Sequence, residues 1–279
     1  MTLATLSEVL GPARRGAYAV GGLVVLGWED ARAYTDAAQA EGVPVILQAG
    51  PSCRSHTPLP VLGAMFRALA ASVDVPVVAH LDHGYSADEC RAALDAGFTS
   101  VMFDGSSKPL VENIAQTRAI VQMAHAAGAS CEGEIGFVGY AAGRVSDPTD
   151  PGQAQAFAAE TGVDAMAVSV GNTHLQTAPQ DGVDQEALAR ISALTDVPLV
   201  IHGGSGIPVA MRRHLAMHSN VCKFNIGTQL RMAFGDALRA SIAAQPDSFD
   251  RIELLRPTIG PVTQAAREVL RALSRPGEA

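Results

Sequence analysis

Residues 80–84 read His-Leu-Asp-His-Gly, straight after the apolar run Val-Pro-Val-Val-Ala. Imidazoles beside a carboxylate can hold a cation and move a proton next to it. Residues of the same types recur far along the chain: Glu132 and Glu134 in CEGEIG, His174 in GNTH, and His202 in HGGSG. Taken singly, each histidine could be a capping or loop residue. Three imidazoles from three separate segments, brought to one point, would ligate zinc and leave a fourth position for substrate. Within HLDH, positions 80 and 83 fall on opposite faces of a continuing strand. We therefore expect His83 to be a ligand, in the loop after the strand, and His80 to be packed or to support it. Asp82 is either a proton shuttle or a partner that orients an imidazole.

Two glycine- and hydroxyl-rich turns could hold a phosphate. They are HGGSG (202–206) and NIGT (225–228), each following an apolar run. Glycine lets a backbone approach an anion closely, and Ser205 and Thr228 add hydroxyl donors.

The elements that must carry these residues alternate from end to end. Eight β-rich runs are readable, at 17–25, 43–50, 75–82, 100–105, 130–136, 164–171, 198–204 and 221–227. Between them lie alanine-rich segments with three- and four-residue apolar spacing, such as EDARAYTDAAQAEG and SADECRAALDAG, which end in a glycine stop signal. Eight such units predict an α/β fold, a (β/α)8 TIM barrel in one domain over 1–279, with an open doubly wound sheet as the runner-up. In a barrel the chemistry gathers at the strand C-termini, where these polar residues fall. Residues 262–273 predict an extra C-terminal helix, available to a partner chain.

Composition bounds the partners. The chain of 279 residues is 48% hydrophobic and 17% charged, so a sizeable core is expected rather than disorder. A net charge of −8 argues against nucleic acid, whose phosphates need a basic surface. Four scattered cysteines form no CxxC, which suggests reduced thiols and a cytoplasmic location. The longest apolar run, about 17–28, is too short for a bilayer, so neither a signal peptide nor a membrane span is expected.

Taken together, HLDHG, SVMFDGS, CEGEIG, SVGNTH, PLVIHGGSG and CKFNIGT stand in an order that resembles the class II, metal-dependent ketose-bisphosphate aldolases, fructose- and tagatose-bisphosphate aldolases among them, over nearly the whole chain. The resemblance implies Zn2+ on His83, His174 and His202, and Asp82 as the acid/base acting on the C4 hydroxyl. It implies that Gly203, Gly204 and Ser205, with Asn225, Ile226, Gly227 and Thr228, hold a dihydroxyacetone-phosphate half, with a monovalent cation near the phosphate as a further option. Asp104 and Glu134 match positions that serve an alternative metal site in some members. The implied reaction is reversible aldol cleavage of a small-molecule sugar phosphate through an enediolate, in a homodimer or homotetramer.

The chain departs from that pattern in several places. A glycine usually follows the histidine equivalent to His174, where this chain has Leu175; GGLVV (21–25) replaces an asparagine-bearing segment. The loop FVGYAAGRVSDPTD (137–150) lacks the usual paired carboxylates and offers Asp147, Asp150 or Tyr140 for a second acid/base. Arg54 is placed either to meet a distal anion or as a surface charge. Lys223 is either a Schiff-base lysine, in a different class of aldolase, or one half of an internal ion pair with Glu132. An altered ketose phosphate as substrate, a non-catalytic sugar-phosphate-binding barrel and a structural zinc site remain as alternatives.

Overall fold

The structure is a computed structural model that describes residues 2–139, 143, 145–177 and 182–274. Its strands are β1 (Leu3–Ala4), β2 (Val20–Val24), β3 (Val45–Ala49), β4 (Val77–Gly84), β5 (Ser100–Phe103), β6 (Ser130–Ile135), β7 (Ala165–Val168), β8 (Leu199–Ile201) and β9 (Val221–Ile226). All pairings are parallel, and β2 to β9 each lie beside their sequence neighbours. Strand β9 pairs back onto β2, with Val20 beside Lys223, so the sheet closes into an eight-stranded barrel. That closure rules out the open sheet. The two-residue β1 lies beside the start of β4.

The eight apolar runs all become barrel strands, and period-2 alternation divides their side chains between two cores. Outward residues such as Leu23, Leu47, Leu81, Phe103, Val168, Ile201 and Phe224 pack beneath the surrounding helices. Inward residues Val20, Ile46, Val78, Met102, Ala165, Ala167 and Val200 fill the N-terminal half of the barrel. Leu6, Val9, Leu10 and Ala13 of the helix Leu6–Gly16 plug that end. Thr5 starts the plug with a capping box: its hydroxyl accepts from Glu8 N–H, and the Glu8 carboxylate accepts from Thr5 N–H.

Glycine stops act where the sequence places them. The helix Trp28–Glu41 ends at Gly42, which takes φ +66°, and the helix Ala87–Asp95 is followed by Gly97 at φ +87°. The C-terminal helix forms over Ile259–Leu273. Its apolar face, Val262, Ala266, Val269, Leu270 and Leu273, is buried within this chain, so that face is not available to a partner. Arg267 and Arg271 of this helix grip the carboxylate of Glu41 at 2.7 Å, tying it to the helix Trp28–Glu41. Among the described residues no helix is long and apolar enough to cross a membrane.

Candidate active site

The upper half of the barrel interior is polar. Strand alternation that turns Val20, Ile46 and Val78 inward also turns Gly22, Gln48 and His80 inward, each one step nearer its strand's C-terminus, and the buried Glu132 and Lys223 join this polar layer. Lys223 Nζ donates to Glu132 Oε2 at 2.6 Å and lies 3.4 Å from His80 Nε2, and both ions are fully buried. His80 Nδ1 meets Ser100 Oγ at 2.8 Å. His80 is therefore packed below the site, beside an internal Lys223–Glu132 ion pair.

Above this layer a bulge in β4 reshapes the strand end. Leu81 pairs with Val101 and Gly84 with Phe103, so Asp82 and His83 together face Met102 alone. His83 takes φ +53°, a left-handed backbone that is rare outside glycine and often found at functional sites. It thus lies within β4, not in the loop after it, and the bulge turns consecutive side chains toward one pocket.

His83, His174 and His202 converge, with one potential ligand atom from each within 4.8 Å of the others. Their ring centroids are 4.7 to 5.4 Å apart. For His83 and His202 a carboxylate fixes which ring nitrogen faces the cluster. Asp104 Oδ2 is 2.8 Å from His83 Nδ1, and Glu132 Oε1 is 3.3 Å from His202 Nε2. That leaves His83 Nε2 and His202 Nδ1 buried without a hydrogen-bond partner, together with Glu134 Oε2. Buried polar atoms of this kind carry a large desolvation cost unless something binds them. Two imidazole nitrogens and a carboxylate oxygen suit a divalent cation, and carboxylates behind the imidazoles are the usual support for metal-bound histidine. His83, Asp104 and Glu134 form a second, overlapping group, also within 4.8 Å.

Burial and mutual charge spread the titration of these groups widely. Burial opposes a charge on His83, yet Asp82, Asp104 and Glu134 raise it to about 10. Burial and the His83 charge drop His174 to about 4 and take His202 well below its ordinary range. Burial, and then Asp104, push Glu134 well above the carboxylate range. Burial would also raise Asp82, but the nearby His83, His202 and Lys223 outweigh it and hold this carboxyl below 3.8. Asp82 is thus an ionised base whose Oδ1 accepts from Asn225 Nδ2 at 3.2 Å.

A cavity of about 350 Å3 opens onto this cluster, lined by Asp82, His83 and His174, and by Gly203, Ser205, Asn225, Gly227 and Thr228. Ser205 Oγ accepts from the N–H groups of Gly227 and Gln229, at 3.2 and 3.4 Å, at the start of the helix Thr228–Ala244. The Ser205 hydroxyl thus holds this turn at a helix N-terminus, a place where backbone N–H groups can meet an anion. Gly203 has φ +66°, and a Cβ there would meet the Thr173 carbonyl oxygen at 2.1 Å.

Other expected positions fall elsewhere. The Ile226 side chain is fully buried in the outer core, and neither it nor Gly204 lines the cavity. Arg54 neither lines the cavity nor sits on the surface. It donates to the carbonyls of Asp82 and His83 at 2.7 and 2.5 Å and to Glu89 at 2.5 Å, so it braces the β4 bulge from behind. Asp147 is exposed and bridges to Phe137 through its backbone, while Asp150 caps the helix Pro151–Thr161. Tyr140 lies outside the described residues. Arg231 was not among the candidates, although it follows Thr228 by three residues and so shares its helix face. It lines both the cavity and an adjoining cleft of about 850 Å3 that lacks the histidine cluster.

Comparison with known proteins agrees with this geometry. The family model "Fructose-bisphosphate aldolase class-II" matches residues 4–278. A 6-phospho-5-dehydro-2-deoxy-D-gluconate aldolase of Shouchella clausii is 37% identical, with 92% of this chain and 89% of that protein covered. A fructose-bisphosphate aldolase of Geobacillus stearothermophilus is 35% identical, with 92% of each covered. The crystal structure of the YdjI aldolase from Escherichia coli K12 superposes with a TM-score of 0.87 at 31% identity, over 99% of each chain. The chain therefore belongs to the class II fructose-bisphosphate aldolase family and is a lyase.

Proposed function

We propose that this enzyme is a zinc-dependent aldolase that cleaves and forms a ketose phosphate whose aldehyde half also carries an anionic group. The convergence of three imidazoles beside an ionised Asp82, with His83 and His174 lining one cavity together with Asp82, Ser205 and Arg231, carries this reading. His83, His174 and His202 would hold the cation, and Asp104 and Glu134 would offer an alternative position. When bound, such a cation supplies a Lewis acid for the ketone oxygen.

The chain's own residues do the rest. Gly203, Ser205, Gly227 and Thr228 would anchor the phosphate, placing the ketone near the histidines. Asp82 would take the proton from the hydroxyl two carbons beyond the carbonyl. The O–H electron pair then forms the aldehyde C=O, the adjoining C–C bond breaks, and its electrons pass to the three-carbon enediolate. Asn225, bonded to Asp82, would hold the base in line. In the condensation direction, Asp82 returns the proton. The buried Lys223 is held by Glu132, which favours this route over a Schiff base.

The names of the two relatives share a feature: fructose bisphosphate and 6-phospho-5-dehydro-2-deoxy-D-gluconate both carry a second anion on the carbons released as aldehyde. Arg231 is the cavity cation suited to read it, and its Nε is buried without a hydrogen-bond partner. A retro-aldol assay of both compounds, with zinc and after chelation, tests the reading. Turnover that is lost on chelation and regained with zinc is expected, and Arg231→Ala should raise KM about tenfold with a smaller change in kcat. No turnover of either compound by the zinc-loaded enzyme would reject it.

A further inference from the structure

Asp82 and His83 stand where β4 loses its register. The strand pairs with β3 as far as Leu81, and with β5 at Leu81 and again at Gly84, so residues 82 and 83 fall outside both sets of register pairs. His83 N–H is turned to Met102 Sδ at 3.5 Å, a weak acceptor, and its φ of +53° is costly for a residue with a Cβ. A side chain holds this stretch instead. Arg54, on the helix Pro51–His56, donates from Nη1 to the Asp82 carbonyl at 2.7 Å and from Nη2 to the His83 carbonyl at 2.5 Å. Its Nε donates to Glu89 Oε1 at 2.5 Å, and Glu89 Oε2 accepts from Tyr85 N–H at 2.9 Å. Glu89 is placed by the cap of its own helix, Ala87–Asp95, where the Ser86 hydroxyl accepts from Glu89 N–H at 3.2 Å. One ion pair, joining a helix that follows β3 to the helix that follows β4, thus grips the backbone at residues 82, 83 and 85.

We propose that Arg54 and Glu89 are positioning residues, whose ion pair aims the base Asp82 and the metal ligand His83 from behind without touching substrate; this rests on the roles proposed above for those two residues. Neither Arg54 nor Glu89 lines the catalytic cavity. The planar guanidinium fork reaches two successive carbonyls and a carboxylate at once, an arrangement that a lysine ammonium does not reproduce. The Arg54 side chain is only 7% exposed, so water competes little for these bonds, and carbonyls stripped of them would be left poorly satisfied. A backbone shift at residues 82 and 83 moves the base and one ligand together, and a misplacement of about 1 Å costs about 10^2-fold in rate. The turns at 203–205 and 227–228, assigned above to the phosphate, belong to other strands, so the loss falls on kcat and on metal affinity and spares KM.

The test compares wild type with Arg54→Met, which keeps the aliphatic stem and removes every donor, with Arg54→Lys, and with Glu89→Gln. Two quantities are read on folded protein: retro-aldol kcat and KM at saturating zinc, and zinc affinity of the metal-free protein by competition with a chromophoric chelator. Arg54→Met should lose about 10- to 100-fold in kcat and about tenfold or more in zinc affinity, with KM within about threefold. Arg54→Lys should recover part of both losses, and Glu89→Gln should lose about three- to tenfold in each. A purely structural role would lower Tm and leave both quantities in place. Either quantity within twofold of wild type in folded Arg54→Met would overturn the inference; if that variant does not fold, the same result in Glu89→Gln would overturn it. If zinc-loaded wild type turns over no ketose phosphate, the proposed function fails by itself, and zinc affinity alone then decides: equal affinity across the folded proteins, or no zinc binding by wild type, would overturn the clamp as well.

Discussion

At Asp82 one carboxylate can be changed without touching a ligand ring. Asp82→Asn keeps the shape and a contact to Asn225 but removes the base, so we expect kcat to fall about 10^2- to 10^4-fold with zinc content unchanged. Retro-aldol kinetics beside metal analysis check this, and turnover within tenfold of wild type would exclude Asp82 as the base. One layer lower, Glu132 accepts from Lys223 and sits against His202 Nε2. Glu132→Gln should weaken zinc binding about 10- to 100-fold, measured by competition with a chromophoric chelator. The residue types at the site were legible because histidine and carboxylate at strand ends are rarely idle. Arg54 misled because its position was legible and its aim was not: a guanidinium with five donors serves a buried carbonyl as readily as a substrate anion.

At the scale of elements, the C-terminal helix Ile259–Leu273 is held to the helix Trp28–Glu41 by a mixed seam. Hydrogen bonds from Arg271, and then Arg267, lower the Glu41 carboxyl below its ordinary 4.5 against a smaller opposing effect of burial. A carboxyl depressed by folding contributes stability that is present above the unfolded value and fades as pH falls through the folded one. Glu41→Gln should therefore lower the urea midpoint at pH 7, and the gap to wild type should close as pH drops below about 4.5. A gap that persists unchanged at low pH would show that the seam acts through packing alone. Periodicity made the helix itself legible; where its face would dock depended on the other end of the chain.

For the whole molecule, the barrel is closed below by the helix Leu6–Gly16 and open above at the site. Leu10 is fully buried among Val20, Ile46, Val78 and Val200 in the plug. Leu10→Ala should cost about 2–5 kcal/mol by denaturant titration while zinc stoichiometry stays the same. Loss of bound zinc in the folded variant would show instead that plug and site are coupled. The eight strands, several glycine helix stops and the three histidines were legible in the sequence, because period-2 and period-3.6 patterning and residue chemistry are local properties. The β4 bulge that aims Asp82 and His83 together, the Arg54 brace behind it, and the place of Arg231 and Leu175 on the cavity wall emerge with the folded molecule. Those outcomes depend on backbone turns and on contacts between distant segments, such as Asn225 with Asp82, 143 residues apart, and no local pattern encodes where such segments meet.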